Sequence, residues 1–524
     1  MFENVPSVVL KAVIAVANNQ AWLGNIVNSF AINSTINVCR HRPHPWSTAH
    51  DYVSWTSLTD QHFSARHLPA KRLENLPAPE VLLELFKRPA GEQRLSNKST
   101  CLFPAFAQYL TDGFIRTRMP NQGVDDENIR RENTSNHQID LCPLYGRTPT
   151  QTAALRLKSE TPGARGRLKS QVIGGEEYAP FLFQDGVIKL EFDVLDPPLG
   201  LDNFPDPELR ARIFAFGGDR ANSAPQVAMI NTLFLREHNR LAGLIEAAHN
   251  DWDDERVFQT ARNTVIVVFI KIVVEEYISH ISPIPFRFKA DPSVAWNAPW
   301  NKPNWVTTEF SLLYRWHSLI PDTITWNGTP YPAAATFMNN RPLLEGGLVA
   351  GFADLSAQAA GRLGAFNTAD ALLPVELRAI KQGRLCDLAP YSDYCKYVSL
   401  PRPKDFSDIS TNPKVVDFLK TVYKSVDEVD FYVGLFAEDT NDNSPLPTLI
   451  LRMVAVDAFS QALTNPLLSK SVFHKETFSK PGWDAIQSTA SLRELLNRNS
   501  PGGVGDKQIT MTLSAWEQHW GDSS

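Results

Sequence analysis

The chain has 524 residues with ordinary apolar (43%), aromatic (10%) and charged (21%) fractions and a formal net charge of -6. This mixed, mildly acidic balance excludes the basic surface of a nucleic-acid binder, and the composition excludes default disorder. Cys39, Cys101, Cys142, Cys386 and Cys395 are odd in number and form no C-x-x-C pair, which argues against zinc and a disulfide framework and for a reducing, cytoplasmic setting.

Residues 1–40 form the first unit. Val8, Val9, Val13, Trp22, Ile26 and Phe30 recur there among few charges, predicting short amphipathic helices broken at Asn18-Asn19. Such helices suit docking on a core or lying in a membrane interface, and the sequence leaves both open. No stretch reaches the roughly 18 consecutive apolar residues of a spanning helix. Polar, Gly- and Pro-containing stretches at 92–100, 118–138, 156–176 and 196–208 read as long loops.

The clearest helices follow, over Ala224 to His249 and Asp254 to His280. The second contains VIVVFIKIVV (265–274), apolar on nearly every side except Lys271, as expected of a helix through a large bundle. Its end, Glu275-Glu276-Tyr277, is expected to return to polar surroundings. A third helix is predicted over Thr307 to Leu319. Strand-like alternation is scarce, so the fold is expected to be mainly α, with residues 41–524 as one large helical domain.

On the third helix Tyr314 and His317 stand three apart, which would place their Cβ atoms about 5–6 Å apart on one face. One could bind a metal while the other sits at the cofactor edge, although a lone helical histidine is more often structural. The segments around it bear on that choice. TLFLREHNRLAGLI (232–245), WDDERVFQTAR (252–262), IKIVVEEYISHIS (270–282) and EFSLLYRWHSLIPDT (309–323) resemble, in order, the animal-type haem peroxidase superfamily, most closely its cyclooxygenase and fatty-acid dioxygenase branch. FPAFAQYLTDGFIRT (103–117), DLCPLYGRT (140–148) and the Phe459 to Asn465 region extend the resemblance over nearly the whole chain.

The resemblance implies that His317 is the proximal ligand of a haem b iron, that Tyr314 is the tyrosine whose radical removes hydrogen from an unsaturated fatty acid, and that Tyr277 orients it. Gln108 falls on the distal glutamine, but Asp112 stands where the family has a histidine. Weak peroxidase turnover is therefore expected, since a carboxylate moves protons well only if its pKa is suitably placed. FGGDRANSAP (216–225) resembles the segment that supplies a distal arginine, here Arg220, for which a surface ion pair is the alternative. Ser223 and Thr111 replace the carboxylates that link haem covalently in myeloperoxidase-like enzymes, so non-covalent haem is expected. Gly113 and Cys142 replace calcium ligands, so no calcium is expected.

Ile278, Ser282, Trp316, Phe459 and Ser460 match substrate-channel positions, though each suits ordinary core. The arginine that holds the fatty-acid carboxylate in cyclooxygenases has no counterpart at Thr35 or Ile36. Arg40 is the nearby substitute. The secretory signal and disulfide-rich leading module of a cyclooxygenase find no match, which leaves open whether a homodimer forms. The leading expectation is a fatty-acid dioxygenase that joins an unsaturated fatty acid and O2 into a hydroperoxide, cytoplasmic and in peripheral contact with a membrane. A small-donor peroxidase and a catalytically silent haem- or lipid-binding homologue are the alternatives.

Overall fold

The computed structural model describes residues 7–39, 46–50, 52, 54, 55, 59, 61–117 and 131–516. Helices α1 (Ser7–Asn19) and α2 (Ala21–Ile36) open the chain. Leu10, Ile14 and Ala17 of α1, with Ala31, Ile32 and Ile36 of α2, are buried, while Val9, Val13, Val16, Trp22, Ile26 and Phe30 are exposed. Spacings of three and four gather each set on its own helix face. The pair thus docks on the body with one apolar face and turns a second outward.

The following elements position the site: strand β1 (Leu95–Thr100) and helices α3 (Leu102–Asp112), α4 (Pro225–Ala248), α5 (Asp254–Ile272) and α6 (Thr308–Leu313), then strand β2 (Ala359–Gly361) and helices α7 (Leu373–Leu385), α8 (Phe431–Ala437), α9 (Thr448–Leu463) and α10 (Lys475–Gln487). The predominance of helix agrees with the mainly α expectation. Helices α4, α5 and α10 pack against one another at the centre, α3 lies on α4, and α9 packs on both α2 and α6. Gly482 brings α10 close to α5: a Cβ there would lie 2.5 Å from Thr264 Oγ1. No described helix is long and apolar enough to cross a membrane.

Three expectations need correction. Residues 95–100 are not loop but strand β1, which pairs antiparallel with the distant β2. Its polar inward residues Lys98, Ser99 and Thr100 hide it from a search for apolar alternation. The helix from Asp254 starts as read, with Asp253 capping the Arg256 N–H and Asp254 and Glu255 in the first turn. It does not run unchanged to His280: Val273–Ile278 forms a wider π turn, followed by one short α turn over Ser279–Ile281. Glu276 is turned inward rather than to a polar exterior. Its carboxylate accepts the Leu492 N–H at 2.7 Å, and burial pushes its pKa up to about 7.

The third correction concerns Thr307 to Leu319. Helix α6 stops at Leu313, and a separate 3-10 turn begins at His317. Tyr314 and Trp316 adopt φ/ψ of -99°/18° and -89°/46°, outside the helical region. The Tyr314 ring lies 4.7 Å from those of Phe310 and Trp316, and Trp316 lies 5.4 Å from Phe103. This aromatic packing overrides local helix propensity. Tyr314 and His317 therefore do not share one helix face.

Candidate active site

Helix α3, the break after α6, helix α7 and the 216–225 segment converge on one interior region. Tyr314 and Arg315 are deeply placed, yet each keeps part of its surface free, as side chains do when they border internal space.

On one side stands His317. Its Nδ1 is 3.1 Å from Glu376 Oε1 of α7, the right separation for a hydrogen bond, although the ring N–H is not aligned on that oxygen. Glu376 is 1% exposed, so its carboxylate needs partners. The Thr368 hydroxyl donates to Oε1 at 2.9 Å and the Tyr432 hydroxyl of α8 donates to Oε2. Glu376 was not foreseen, because an acidic residue on an amphipathic helix reads as solvated until the fold places it.

Next to His317 lies an aromatic cluster. Tyr277, on the π turn, is 5.6 Å from both Phe103 and Phe106 of α3. The Tyr277 and Tyr314 hydroxyls neighbour one another, and burial, before any other cause, pushes both phenols above their ordinary pKa. A phenol so placed keeps its proton unless it loses an electron as well. Trp316 is buried and stacks between Tyr314 and Phe103.

Gln108 and Asp112 share a face of α3, four residues apart. Gln108 donates to Ser223 Oγ at 2.8 Å. Asp112 is pushed up to about 6, chiefly by burial and against the pull of Arg220. Its place at the helix C-terminus acts in the same direction. Arg220 Nη1 lies 3.8 Å from Asp112 Oδ1 and donates to the Ile115 carbonyl at 2.9 Å, so the pair is interior rather than a surface ion pair. Two glycines explain the approach: a Cβ on Gly217 would lie 2.0 Å from Gly146 N, and one on Gly218 would lie 2.9 Å from Pro143 Cα. Arg315 was also missed, although an arginine amid Tyr314, Trp316 and apolar neighbours is a signal in itself. Burial, then Arg220, lowers its pKa, while Tyr432, Asp112 and Glu376 oppose them.

The substrate-channel candidates Ile278, Ser282, Phe459 and Ser460 are all buried. Helix α9, which carries Phe459 and Ser460, packs on both α6 and the π turn. Ser460 Oγ donates back to the Asp457 carbonyl, and Ser282 Oγ to the Ile284 carbonyl. Asp457, one turn before Ser460, pairs with His67 at 2.9 Å and is felt electrostatically by Tyr314. Arg40 lies outside the described residues.

Buried polar atoms normally find partners. Here Asp112 Oδ2, Tyr277 Oη, Tyr314 Oη, Arg315 Nε, Trp316 Nε1 and His317 Nδ1 make no hydrogen bond among the described residues. An imidazole, two guanidinium groups and a carboxylate around one interior region fit the iron, the propionates and the distal face of a haem.

A family model described as animal haem peroxidase matches residues 104–511. Prostaglandin G/H synthase 2 of Equus caballus is 28% identical over 531 residues, spanning 98% of this chain and 84% of the relative. Among solved structures, Peroxidase A from Dictyostelium discoideum superposes with a TM-score of 0.68 at 20% identity, covering 89% of this chain and 99% of that one. The Oryza sativa fatty acid alpha-dioxygenase gives 0.68 at 16% identity, covering 94% of each. With a match over most of its length, the chain belongs to the animal haem peroxidase family.

Proposed function

We propose that this protein is a haem-dependent fatty-acid dioxygenase that forms a hydroperoxide with a tyrosyl radical at Tyr314. The observation that carries the reading is the Tyr314 and Tyr277 hydroxyl pair, buried in an aromatic cluster three residues from His317. The prostaglandin G/H synthase relatives and the fatty acid dioxygenase fold neighbour support the substrate class.

In this reading His317 holds the iron of a haem b and Glu376 orients the imidazole from behind. Arg315 and Arg220 would offer guanidinium groups to the haem propionates. Haem held there, once oxidised by a trace hydroperoxide, would supply the one-electron oxidation that turns the Tyr314 phenol into a phenoxyl radical. Tyr277 fixes the orientation of that oxygen. The radical takes a hydrogen atom from an allylic or bis-allylic carbon, restoring the phenol and leaving a carbon radical. O2 adds to the carbon, and the peroxyl radical recovers hydrogen from Tyr314, giving the hydroperoxide and regenerating the tyrosyl radical. Ile278, Phe459 and the Trp316 ring, all buried, exclude water around the chain.

Non-covalent haem is favoured because Ser223 and Thr111 are hydroxyls already engaged, with Gln108 and with the Ala107 carbonyl. Calcium is disfavoured because the Cys142 thiol donates to the Gly113 carbonyl, occupying a hard-cation position with sulfur. Five free cysteines, four of them buried, suit a reducing compartment. The outward apolar face of α1 and α2 suits peripheral contact with a membrane.

Oxygen uptake with linoleate tests the proposal. Tyr314→Phe should lower it at least 100-fold while leaving the haem absorbance intact, and retained uptake would refute the radical role. A second reading, a small-donor peroxidase, draws on Asp112 and Arg220, whose proximity and the raised Asp112 pKa permit proton transfer. Fast guaiacol oxidation with hydrogen peroxide, and no oxygen uptake with fatty acids, would favour it.

A further inference from the structure

A fatty acid that enters this interior brings a carboxylate, and a buried carboxylate needs a cation. The side chain of Lys98, on β1, supplies one in an unusual setting. The residue is 4% exposed, and its ammonium donates to the Asn443 carbonyl at 2.7 Å and the Ser282 carbonyl at 3.1 Å. The Trp516 ring lies 4.5 Å from Nζ. No described carboxylate pairs with it: its acceptors are neutral carbonyls and its third contact is a ring face. An ammonium has three N–H donors; two go to carbonyls, and among the described residues the third meets only the weak acceptor face of the Trp516 ring. Burial pulls the amine down to about 7.

Its placement connects it to the tyrosines. Ser282 stands at the end of the segment that carries Tyr277 and Ile278, five residues after Tyr277, so the backbone that Lys98 holds is continuous with the tyrosine pair. Between them the Phe103 ring touches Tyr277 at 5.6 Å, Trp316 at 5.4 Å and His280 at 4.7 Å. His280, the other buried base here, is held neutral, chiefly by burial and then by Lys98, with its ring nitrogens on Ser99 Oγ and Thr512 Oγ1. Among the described residues Lys98 is thus the cation of this corner.

We infer that Lys98 is the anchor for the carboxylate of the fatty-acid substrate, a specificity-determining residue that sets which carbon reaches Tyr314. The inference rests on the proposed dioxygenase reading. The carboxylate takes the third N–H in place of the ring face and supplies a negative charge that no described group gives Lys98, with the acyl chain running along Ile278 and Phe103 towards Tyr314. A lysine that merely ties β1 to the Ser282 and Asn443 backbone would matter equally for a free acid and for its uncharged ester, and that difference decides the test.

Binding of oleate and of methyl oleate is measured by quenching of tryptophan fluorescence in the haem-loaded wild type and in Lys98→Met, with Lys98→Arg as the charge-retaining variant. Oxygen uptake with linoleate and methyl linoleate is followed alongside. The wild type should prefer the acid at least tenfold. Lys98→Met should weaken acid binding 10- to 100-fold and leave the ester within about twofold, and Lys98→Arg should recover most of the acid affinity. An acid-to-ester ratio unchanged in Lys98→Met overturns the inference, as does a wild type that binds neither ligand. Should Lys98→Met not fold, an unchanged ratio in Lys98→Gln does the same. Acid binding that depends on Lys98 without oxygen uptake would sink the dioxygenase reading and leave the anchor standing. Uptake that ignores Lys98 would do the reverse.

Discussion

Glu376→Gln is the sharpest probe of the proximal side. The amide is nearly isosteric and keeps an acceptor oxygen for one of the Thr368 and Tyr432 hydroxyls, while its NH2 can donate to the other, but it removes the negative charge 3.1 Å from His317 Nδ1. Two unit charges at that distance interact by about 5 kcal/mol at an effective dielectric near 20, an upper bound because the imidazole carries only part of a charge. Outer-shell partners of metal-bound histidines are worth roughly 10- to 100-fold in metal affinity, about 1.4–2.8 kcal/mol. The carboxylate favours the electron-poor ferric state, so its loss should raise the one-electron potential by about 60–120 mV, at ~59 mV per tenfold. Haem titration into the apoprotein, followed by Soret absorbance, and a spectroelectrochemical titration read the two quantities separately. Tyr432→Phe, which takes a hydrogen-bond donor from Glu376 and so leaves its negative charge less neutralised, should move the potential the opposite way, downward, by less. An unchanged potential and unchanged haem affinity in Glu376→Gln would refute the proposed positioning role.

Three further outcomes are expected. His317→Ala should lose the Soret band on reconstitution, and normal haem content there would overturn the ligand assignment. Asp112 is raised from 3.8 to about 6 in the folded protein, so the folded state binds a proton that the unfolded chain has already released, and stability falls as pH rises from about 4 through 6. The shift corresponds to roughly 3 kcal/mol. Asp112→Asn should therefore melt higher than wild type at pH 7 and equal it near pH 4, and a pH-independent difference would contradict the account. On the outward face of α1 and α2, Trp22→Ser combined with Phe30→Ser should lower co-sedimentation with phospholipid vesicles about tenfold or more, since each buried aromatic contributes roughly 1.5–3 kcal/mol. Equal sedimentation would remove the membrane proposal.

Much of the candidate site was legible because its residues lie in short ordered segments. His317, Tyr314, Tyr277, Gln108 and Asp112 each lie in a stretch whose residue types carry the resemblance, and the fold gathers them. What stayed hidden depends on contacts remote in sequence. Glu376 looks like a solvent-facing acid on α7 until α8 and Thr368 close over it. Lys98 sits in a polar stretch that reads as loop because its strand partner is the distant β2. The break at Tyr314 was missed for a related reason: ring packing against Phe310 and Phe103 outweighs a local preference for helix.

The π turn over Val273–Ile278 changes what insertion and deletion mean in this helix. A wide turn takes up one surplus residue while the stretches on either side keep their facing. Carried through the same sequence, an uninterrupted α-helix would swing everything from Tyr277 onward by about 100° and turn the phenol away from its partner. Removing one residue between 273 and 276 is therefore the rare deletion in a buried helix that this fold can absorb. The wide turn would relax to the ordinary one, and Tyr277 would still meet Tyr314.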